Sequence, residues 1–143
     1  MLAKLEPAGF RWRLRVYYED TDAGGIVYYA NFLKFFERCR TEWLRALGIE
    51  QTRLAGERGL QFVVMSIACD YRRPARLDDE LTVLAQTERV GGASLVFVQQ
   101  AWRGDELLAQ GRVKVACVDT GRLAPAALPA DLVAALKRPC VAD

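Results

Sequence analysis

The chain has 143 residues, of which 52% are hydrophobic and 27% charged, with a net charge of +2 and no histidine. This size suits one domain with a core of its own, and the composition argues against disorder. The lack of histidine excludes Ser-His-Asp and Cys-His catalysis and His-ligated metals, so a general base would be a carboxylate or, less readily, Tyr, Lys or Cys.

The first predicted strand precedes a polar turn. Residues 1–9 contain a proline and a glycine without sustained periodicity and predict a loose lead-in. From Phe10 to Tyr18 the side chains alternate between two faces, which is typical of a half-buried strand. The segment 19–25 (EDTDAGG) is polar and contains two glycines, and it predicts a sharp turn.

A long helix is predicted from Ala30 to Leu47, with Gly48 as its C-terminal stop. Its apolar side chains cover roughly half of the circumference, so we expect a helix largely wrapped by sheet. Arg40 falls inside that apolar arc, and Glu37 falls on its border. Because an unpaired buried charge is costly, Glu37 is the predicted partner of Arg40, one turn away.

The remainder of the chain is predicted to be mostly β-structure. Residues 50–59 are polar and predict at most a short helical turn. Four strands are predicted after it: Leu60–Arg73, Glu80–Val90, Ser94–Arg103 and Glu106–Asp119. The alternation in the first of these predicts one face made of Val63, Met65, Ile67, Cys69 and Tyr71. A short helix is predicted at Leu132–Lys137. This order predicts an α+β fold in which an antiparallel sheet wraps around one central helix.

No repeat or linker divides the chain, so residues 1–143 are predicted to form one domain with a core at about 10–119 and an extension at 120–143. Neither a spanning helix nor a signal peptide is indicated, which predicts a cytoplasmic protein without a transmembrane segment. Basic residues are scattered among acidic ones, so no nucleic-acid partner is expected. The cysteines form no C-x-x-C pair and are predicted to be free thiols rather than a metal site: Cys39, Cys69, Cys117 and Cys140.

The polar turn before the helix carries the candidate chemistry. Asp20 and Asp22 precede a helix N-terminus, where unpaired N–H groups bind carboxylates, phosphates and developing oxyanions. The residues alone leave two interpretations open, because these aspartates either cap the turn or supply a reactive carboxylate. Tyr28 and Tyr29 likewise either pack at the helix entrance or contact a substrate.

Residues 20–31 (DTDAGGIVYYAN), followed by FFER at 35–38 on the helix, resemble the motif of the hotdog-fold acyl-CoA thioesterases. The motif is most similar to that of the YbgC type, which is associated with the Tol-Pal gene cluster, and to that of the related 4-hydroxybenzoyl-CoA thioesterases. The similarity continues through residues 71–75 and the strand pattern to about residue 119. The resemblance implies a hotdog fold and hydrolysis of an acyl-CoA, with coenzyme A as part of the substrate and no separate cofactor.

By this resemblance Asp22 is the catalytic carboxylate, as a nucleophile or as a base toward water, while Asp20 fixes the turn. The backbone N–H of Tyr29 would polarise the thioester carbonyl. Some hotdog thioesterases use a Glu on the helix instead, which makes Glu37 the alternative. Many YbgC-type members carry His in place of Tyr29, whereas the 4-hydroxybenzoyl-CoA enzyme has Tyr, so the role of this side chain stays open.

The remaining predicted contacts are to the substrate. Coenzyme A carries phosphates, which need Arg or Lys nearby. The best basic group stands at the end of a predicted strand: Arg72, Arg73 and Arg76. The predicted substrate contacts within the turn are Gly25, Val27 and Tyr28.

The predicted strands carry more apolar surface than one helix of this length can cover. Hotdog proteins commonly join two sheets edge to edge, with acyl-CoA sites between subunits, so we expect a homodimer that can pair further into a homotetramer. A second function fits the same fold, namely a non-hydrolytic module that binds acyl-CoA or an acyl carrier protein. Asp22 favours the enzyme, because binding alone does not require a carboxylate beside a thioester.

Overall fold

The computed structural model describes residues 9–137, so Cys140 and all of the predicted lead-in except Gly9 lie outside the described residues. The elements in chain order are β1 (Phe10–Arg15), a 3-10 turn (Tyr18–Asp20), α1 (Asn31–Ala46), α2 (Gln51–Arg58), β2 (Leu60–Tyr71), β3 (Glu80–Val90), β4 (Ser94–Arg103), β5 (Glu106–Asp119) and α3 (Ala130–Lys137). The strands form one antiparallel sheet in the order β1-β3-β4-β5-β2. This arrangement confirms the predicted α+β class.

Helix α1 packs its apolar face on the sheet, as its sequence pattern predicts. Trp43 stacks on Phe10 of β1 at 6.4 Å between ring centroids and meets Phe97 of β4 edge-on at 5.9 Å. Phe36 is fully buried above β5, where a Cβ on Gly111 would lie 3.0 Å from its ring. Glycine at this strand position therefore lets the helix approach the sheet closely.

Strand β2 forms one edge of the sheet and contains a β-bulge. Its register with β5 shifts between Val64 and Ser66, so Met65 is an extra residue, and its side chain is 60% exposed. The bulge reverses the alternation, because Phe62 and Cys69 both pack against the core although they are seven positions apart, and a regular strand puts residues an odd number of positions apart on opposite faces. The prediction that Val63 and Met65 share a face with Ile67, Cys69 and Tyr71 is therefore wrong.

The ends of α1, β2 and α3 differ from the predictions by one or two residues, and two other elements differ by more. Strand β1 ends at Arg15 instead of Tyr18, because Val16 leaves the ladder and exchanges backbone hydrogen bonds with Asp78 and Asp79. Helix α2 is a two-turn helix over residues 51–58 rather than a short turn, and it ends at Gly59, whose φ of +65° lies in the left-handed region.

Within residues 9–137 no helix combines the length and the apolar character needed to cross a membrane. Three cysteines in this range are free thiols, as predicted: Cys39, Cys69 and Cys117. The first and the last of them are buried, and Cys69 is half-buried at the edge strand.

Candidate active site

The segment between the 3-10 turn and α1 folds back on itself as a narrow loop. The N–H of Asp22 donates to the carbonyl of Ile26 at 2.8 Å, and the N–H of Gly25 donates to the carbonyl of Asp22 at 3.0 Å. Gly25 has a φ of +82°, which glycine adopts without steric cost. Backbone hydrogen bonds and one glycine therefore shape the loop and leave the Asp22 side chain exposed.

Asp22 uses only one of its carboxylate oxygens to hold this loop. Oδ1 accepts a hydrogen bond from the N–H of Gly24 at 2.8 Å, as the capping interpretation predicts. Among residues 9–137 no hydrogen-bond or ion-pair partner is found for Oδ2. Capping and reactivity are therefore compatible in one side chain, because the second oxygen remains available.

Asp20 has a structural place in the same loop. Its Oδ2 accepts the N–H of Tyr17 at 2.8 Å, and its carbonyl accepts the N–H of Tyr28 at 3.0 Å. The same carbonyl accepts Nδ2 of Asn31 at 2.9 Å, which ties the loop to the first residue of α1. Asn31 was not predicted as a site residue, although an Asn at a helix start is a signal for such a bond.

Helix α1 begins without a side-chain cap and without an acidic residue in its first turn. The N–H groups of Asn31 and Phe32 bond to the carbonyls of Tyr28 and Tyr29 at 2.8 and 3.2 Å. The N–H of Tyr29 itself finds no acceptor in the described part of the chain. An unpaired amide at the positive end of a helix can donate to an anion or to a polarised carbonyl oxygen.

Aromatic rings form a wall beside this amide. Tyr29 lies 5.0 Å from Tyr28 and 5.7 Å from Tyr71 between ring centroids, and Tyr71 lies 5.9 Å from Phe32. Burial, and then its hydrogen bond with Cys69, raise the pKa of Tyr71 well above the usual phenol value, so its hydroxyl stays protonated. Sequence reasoning missed Tyr71 as a site residue, because only the register of β2 brings it to the helix start.

The loop after β2 lies against the Asp22 loop. The N–H of Val27 donates to the carbonyl of Ala75 at 2.8 Å, and Ile26 forms an isolated β-bridge with Arg76. Of the predicted substrate contacts, exposed Arg76 and Gly25 therefore come together, whereas Val27 is buried with 3% exposure.

Arg72 and Arg73 open the same loop and are both exposed. The Nε of Arg73 lies 3.8 Å from Oε2 of Glu106, a distance at which solvent weakens the attraction. The three arginines thus share one loop, as predicted, but only Arg76 lies directly beside the Asp22 loop.

Arg103, which sequence reasoning also missed, fixes this loop from β4. Its Nη1 donates to the carbonyl of Pro74 at 3.1 Å and to Oδ2 of Asp79 at 2.7 Å. Burial raises the pKa of Asp79, but hydrogen bonds from the Arg76 N–H and the Arg103 guanidinium outweigh it and hold the pKa below its usual 3.8. Asp79 is therefore ionised at neutral pH and keeps the loop in place.

Glu37 and Arg40 do not form the predicted ion pair, and that prediction is wrong. Glu37 is exposed, and its Oε2 accepts the hydroxyl of Thr41 at 2.5 Å. Arg40 is 8% exposed and donates instead to Oε1 of Gln99 at 2.8 Å, with its guanidinium carbon 5.9 Å from the centroid of the Phe97 ring. Gln99 lies on the sheet face directly below the helix, which places its amide closer than the border carboxylate.

A pocket of about 180 Å³ lies beside this guanidinium, between α1 and strands β2, β4 and β5. Glu37 lies at its polar side with Thr41 and Gln51. Glu37 is eight residues after Tyr29, which immediately precedes the helix cap, so the two lie about 12 Å apart at the rise of an α-helix. Within one chain, the second candidate carboxylate therefore lies well away from the Asp22 loop.

The comparisons with known proteins that follow all identify thioesterases. A family model described as the thioesterase superfamily matches residues 24–110. Over 127 residues the chain is 50% identical to "Acyl-CoA thioesterase YbgC" of Haemophilus influenzae, covering 89% of this chain and 93% of the relative. A "Probable Thioesterase" from Bartonella henselae has a TM-score of 0.80 at 38% identity, covering 83% and 98% of the two chains. A 4-hydroxybenzoyl-CoA thioesterase complexed with 4-hydroxybenzoyl-CoA has a TM-score of 0.85 at 20% identity, covering 90% and 99%.

Proposed function

The chain belongs to the thioesterase superfamily and has its hotdog fold, and we propose that it is an acyl-CoA thioesterase with Asp22 as its catalytic carboxylate. The observation that carries the proposal is the pairing of two groups in one loop-helix segment. One is the exposed Asp22 carboxylate, whose Oδ2 has no partner in the described chain, and the other is the unpaired N–H of Tyr29. A relative of 50% identity that is named an acyl-CoA thioesterase supports the same reaction, and it bears out the resemblance to the YbgC type.

In the proposed reaction the thioester carbonyl oxygen accepts a hydrogen bond from the N–H of Tyr29. The partial positive charge of the α1 N-terminus stabilises the negative charge that develops on this oxygen. No side chain in the described part of the chain caps this helix end, so the position is open there to a ligand. The exposed rings of Tyr28 and Tyr29 border the place where the acyl group enters.

Two chemical routes use the same carboxylate oxygen. In the first, Oδ2 of Asp22 attacks the carbonyl carbon, coenzyme A leaves as the thiol after taking a proton, and water then hydrolyses the acyl-aspartyl anhydride. In the second, Oδ2 accepts a proton from a water molecule that attacks the carbonyl carbon directly. Both routes release the free acid and coenzyme A. Glu37 is the alternative carboxylate, and its distance of about 12 Å along the helix disfavours it within one chain.

Arginine side chains near the loop are proposed to bind the phosphates of coenzyme A. Arg76 is the first candidate because it pairs with Ile26 of the Asp22 loop, and Arg72 and Arg73 extend the same basic surface. Gly25 leaves the loop without a side chain, which lets the substrate approach the backbone. The protein is proposed to act in the cytoplasm, without a nucleic-acid partner.

The functional unit is proposed to be a homodimer joined through β2. Within residues 9–137 this twelve-residue strand pairs with β5 alone, and its other edge is open in that part of the chain. Its exposed apolar side chains are Val64, Met65, Ile67 and Tyr71, at 42% to 60% exposure. An open edge with this composition favours pairing with a second copy, since left bare it would promote aggregation. A tetramer would arise by further pairing of such dimers.

Release of free thiol from short, long-chain and aromatic acyl-CoA substrates tests the proposal. We expect steady-state turnover of at least one substrate class by the purified protein. Saturable binding of acyl-CoA without any thiol release would instead support the non-hydrolytic module. Sedimentation equilibrium at micromolar concentration tests the dimer, because an active species with the 16.0 kDa mass of one chain would contradict it.

A further inference from the structure

The two groups proposed to react lie on opposite arms of the Asp22 loop. Asp22 belongs to the first arm, residues 20–22, and the second arm, residues 26–28, leads directly to Tyr29. An antiparallel bridge joins the two arms. Reacting atoms must be held about 3 to 3.5 Å apart, so the placement of one arm relative to the other decides whether both groups can act on one thioester.

The two arms are anchored unequally. The second arm bonds to the loop after β2, through the N–H of Val27 at 2.8 Å and through the bridge of Ile26. In the described part of the chain, the first arm makes one hydrogen bond with a residue outside 17–28. Nδ2 of Asn31 donates this bond to the carbonyl of Asp20 at 2.9 Å. The Asn31 side chain is therefore what fixes the first arm to helix α1.

Asn31 also fixes the direction of the proposed donor. Its own N–H donates to the carbonyl of Tyr28 at 2.8 Å. The N–H of Tyr28 donates to the Asp20 carbonyl at 3.0 Å, and with the Asn31 side chain these bonds close a ring of three. The carbonyl of Tyr28 and the N–H of Tyr29 belong to one planar trans peptide group, so they point in opposite directions. Because the carbonyl points into α1, the N–H of Tyr29 points away from the helix.

The side chain at position 31 meets a requirement that similar residues do not meet. Asn31 is only 9% exposed, so its hydrogen bond to Asp20 is largely shielded from water and costly to leave unmade. A carbonyl oxygen only accepts, and the amide nitrogen of Asn supplies the donor that reaches it. An ionised Asp has the same shape but presents an oxygen there, which repels the carbonyl, and Ala presents no polar atom.

We propose that Asn31 is a positioning residue for thioester hydrolysis, which holds the Asp22 carboxylate and the Tyr29 N–H in the relative geometry that the reaction needs. The inference rests on the proposed function, which defines these two groups as the reacting pair. Asn31 exchanges no proton and contacts no substrate atom in this role. It acts through the main-chain groups of Asp20 and Tyr28.

Thiol release by the full-length variants Asn31→Ala and Asn31→Asp tests the role. We expect kcat to fall about tenfold or more in both, with a smaller change in KM, because both variants lose the donor and keep the groups that contact the substrate. The Asp variant adds a negative charge to the first turn of α1, which the helix N-terminus stabilises, so its melting temperature should exceed that of the Ala variant. A kcat that falls in both variants without following the melting temperature identifies positioning rather than a general loss of stability.

Val83→Ala is the matched control for stability. Val83 is fully buried on β3 beneath α1, where its carbonyl accepts the thiol of Cys39. Its truncation should lower the melting temperature at least as much as Asn31→Ala does and leave kcat unchanged. A fall in kcat as large as that of Asn31→Ala would show that activity follows stability, which overturns the positioning role.

Coupling to Asp22 provides a second readout. In the Asp22→Asn background the carboxylate that Asn31 positions is gone, so Asn31→Ala should lower the remaining kcat by less than about threefold. A purely structural contribution would lower kcat by the same factor in both backgrounds. That result would contradict the proposal.

Amide hydrogen exchange tests the same contact without a thioester. In Asn31→Ala the N–H of Tyr28 should exchange about tenfold faster than in wild type or more, whereas the N–H of Val27, bonded to the carbonyl of Ala75, should keep its rate. Unchanged exchange at Tyr28, or an unchanged kcat in Asn31→Ala, overturns the positioning role and leaves the proposed function standing. Absence of thiol release from the wild type instead overturns the proposed function itself.

Discussion

Helix α1 has charged groups in two different environments, one exposed at its N-terminus and one buried farther along. At its N-terminus the Asp22 loop is exposed and is shaped by main-chain hydrogen bonds, with one carboxylate oxygen and one amide left unpaired in the described chain. Farther along the helix, Arg40 is buried and is held by a side chain of the sheet. We therefore expect the loop to keep its shape when it loses its charge, whereas the helix interior should lose stability when it loses a polar partner.

Asp22→Asn gives the largest expected effect and tests whether the exposed loop keeps its shape without its charge. We expect kcat for thiol release to fall by about 10²- to 10⁴-fold, the usual contribution of a catalytic base. The melting temperature should stay unchanged, because Asn retains the Oδ1 that accepts the N–H of Gly24. A variant that kept most of its kcat would make Asp22 a cap only, and Glu37 the next residue to test.

Gln99→Leu tests whether the buried Arg40 depends on its polar partner. The substitution leaves the Arg40 guanidinium without its acceptor, so we expect unfolding in urea to cost about 3 kcal/mol less than in wild type. The double variant Arg40→Met, Gln99→Leu should recover most of this loss, because it removes the stranded charge as well. Strictly additive effects of the two substitutions would show that the two side chains do not depend on each other.

Asp79→Asn probes a region between these extremes, the loop that Arg103 fixes. Near neutral pH we expect a loss of about 1 kcal/mol in unfolding free energy, since a charge-assisted hydrogen bond is weakened. The pKa of Asp79 lies below its usual 3.8 in the folded protein, so the unfolded chain takes up the proton first as pH falls. The advantage of wild type over Asp79→Asn should therefore shrink as pH drops below 3.8, and a constant difference across that range would contradict the assignment.

Glu37→Ala gives the smallest expected effect. Glu37 is exposed and bonds to Thr41 rather than to Arg40, so we expect a change in unfolding free energy within about 0.5 kcal/mol. A loss of unfolding free energy comparable to that of Gln99→Leu would instead support the buried ion pair between Glu37 and Arg40 that the helix pattern predicts.

The fold was largely predictable because its signals are local. Alternation located the strands, and the width of the apolar arc identified α1 as the central helix. The bulge at Met65 was not predictable, because an extra residue in β2 shows only against the register of β5. Helix α2 was underestimated because its polar sequence carries little periodicity, and packing of Leu54 stabilises it.

The residues of the candidate site likewise fall into those that a local motif predicts and those that it does not. Asp22 and Tyr29 lie in one short segment, so the motif alone was enough to predict them, and they stay a prediction. Tyr71 and Arg103 reach the same place through strand pairing, which no local pattern records. The partner of Arg40 was misassigned for this reason, because Glu37 is close in sequence and Gln99 is 59 residues away.

The donor proposed for the thioester oxygen is the main-chain amide of Tyr29, an atom that every residue type except proline possesses. Most substitutions of Tyr29 would therefore replace the exposed ring and leave the backbone N–H unchanged. Tolerance in a saturation scan would reveal nothing about its importance. A backbone ester introduced by chemical synthesis keeps the ring and deletes the N–H. No substitution by another natural residue makes that change.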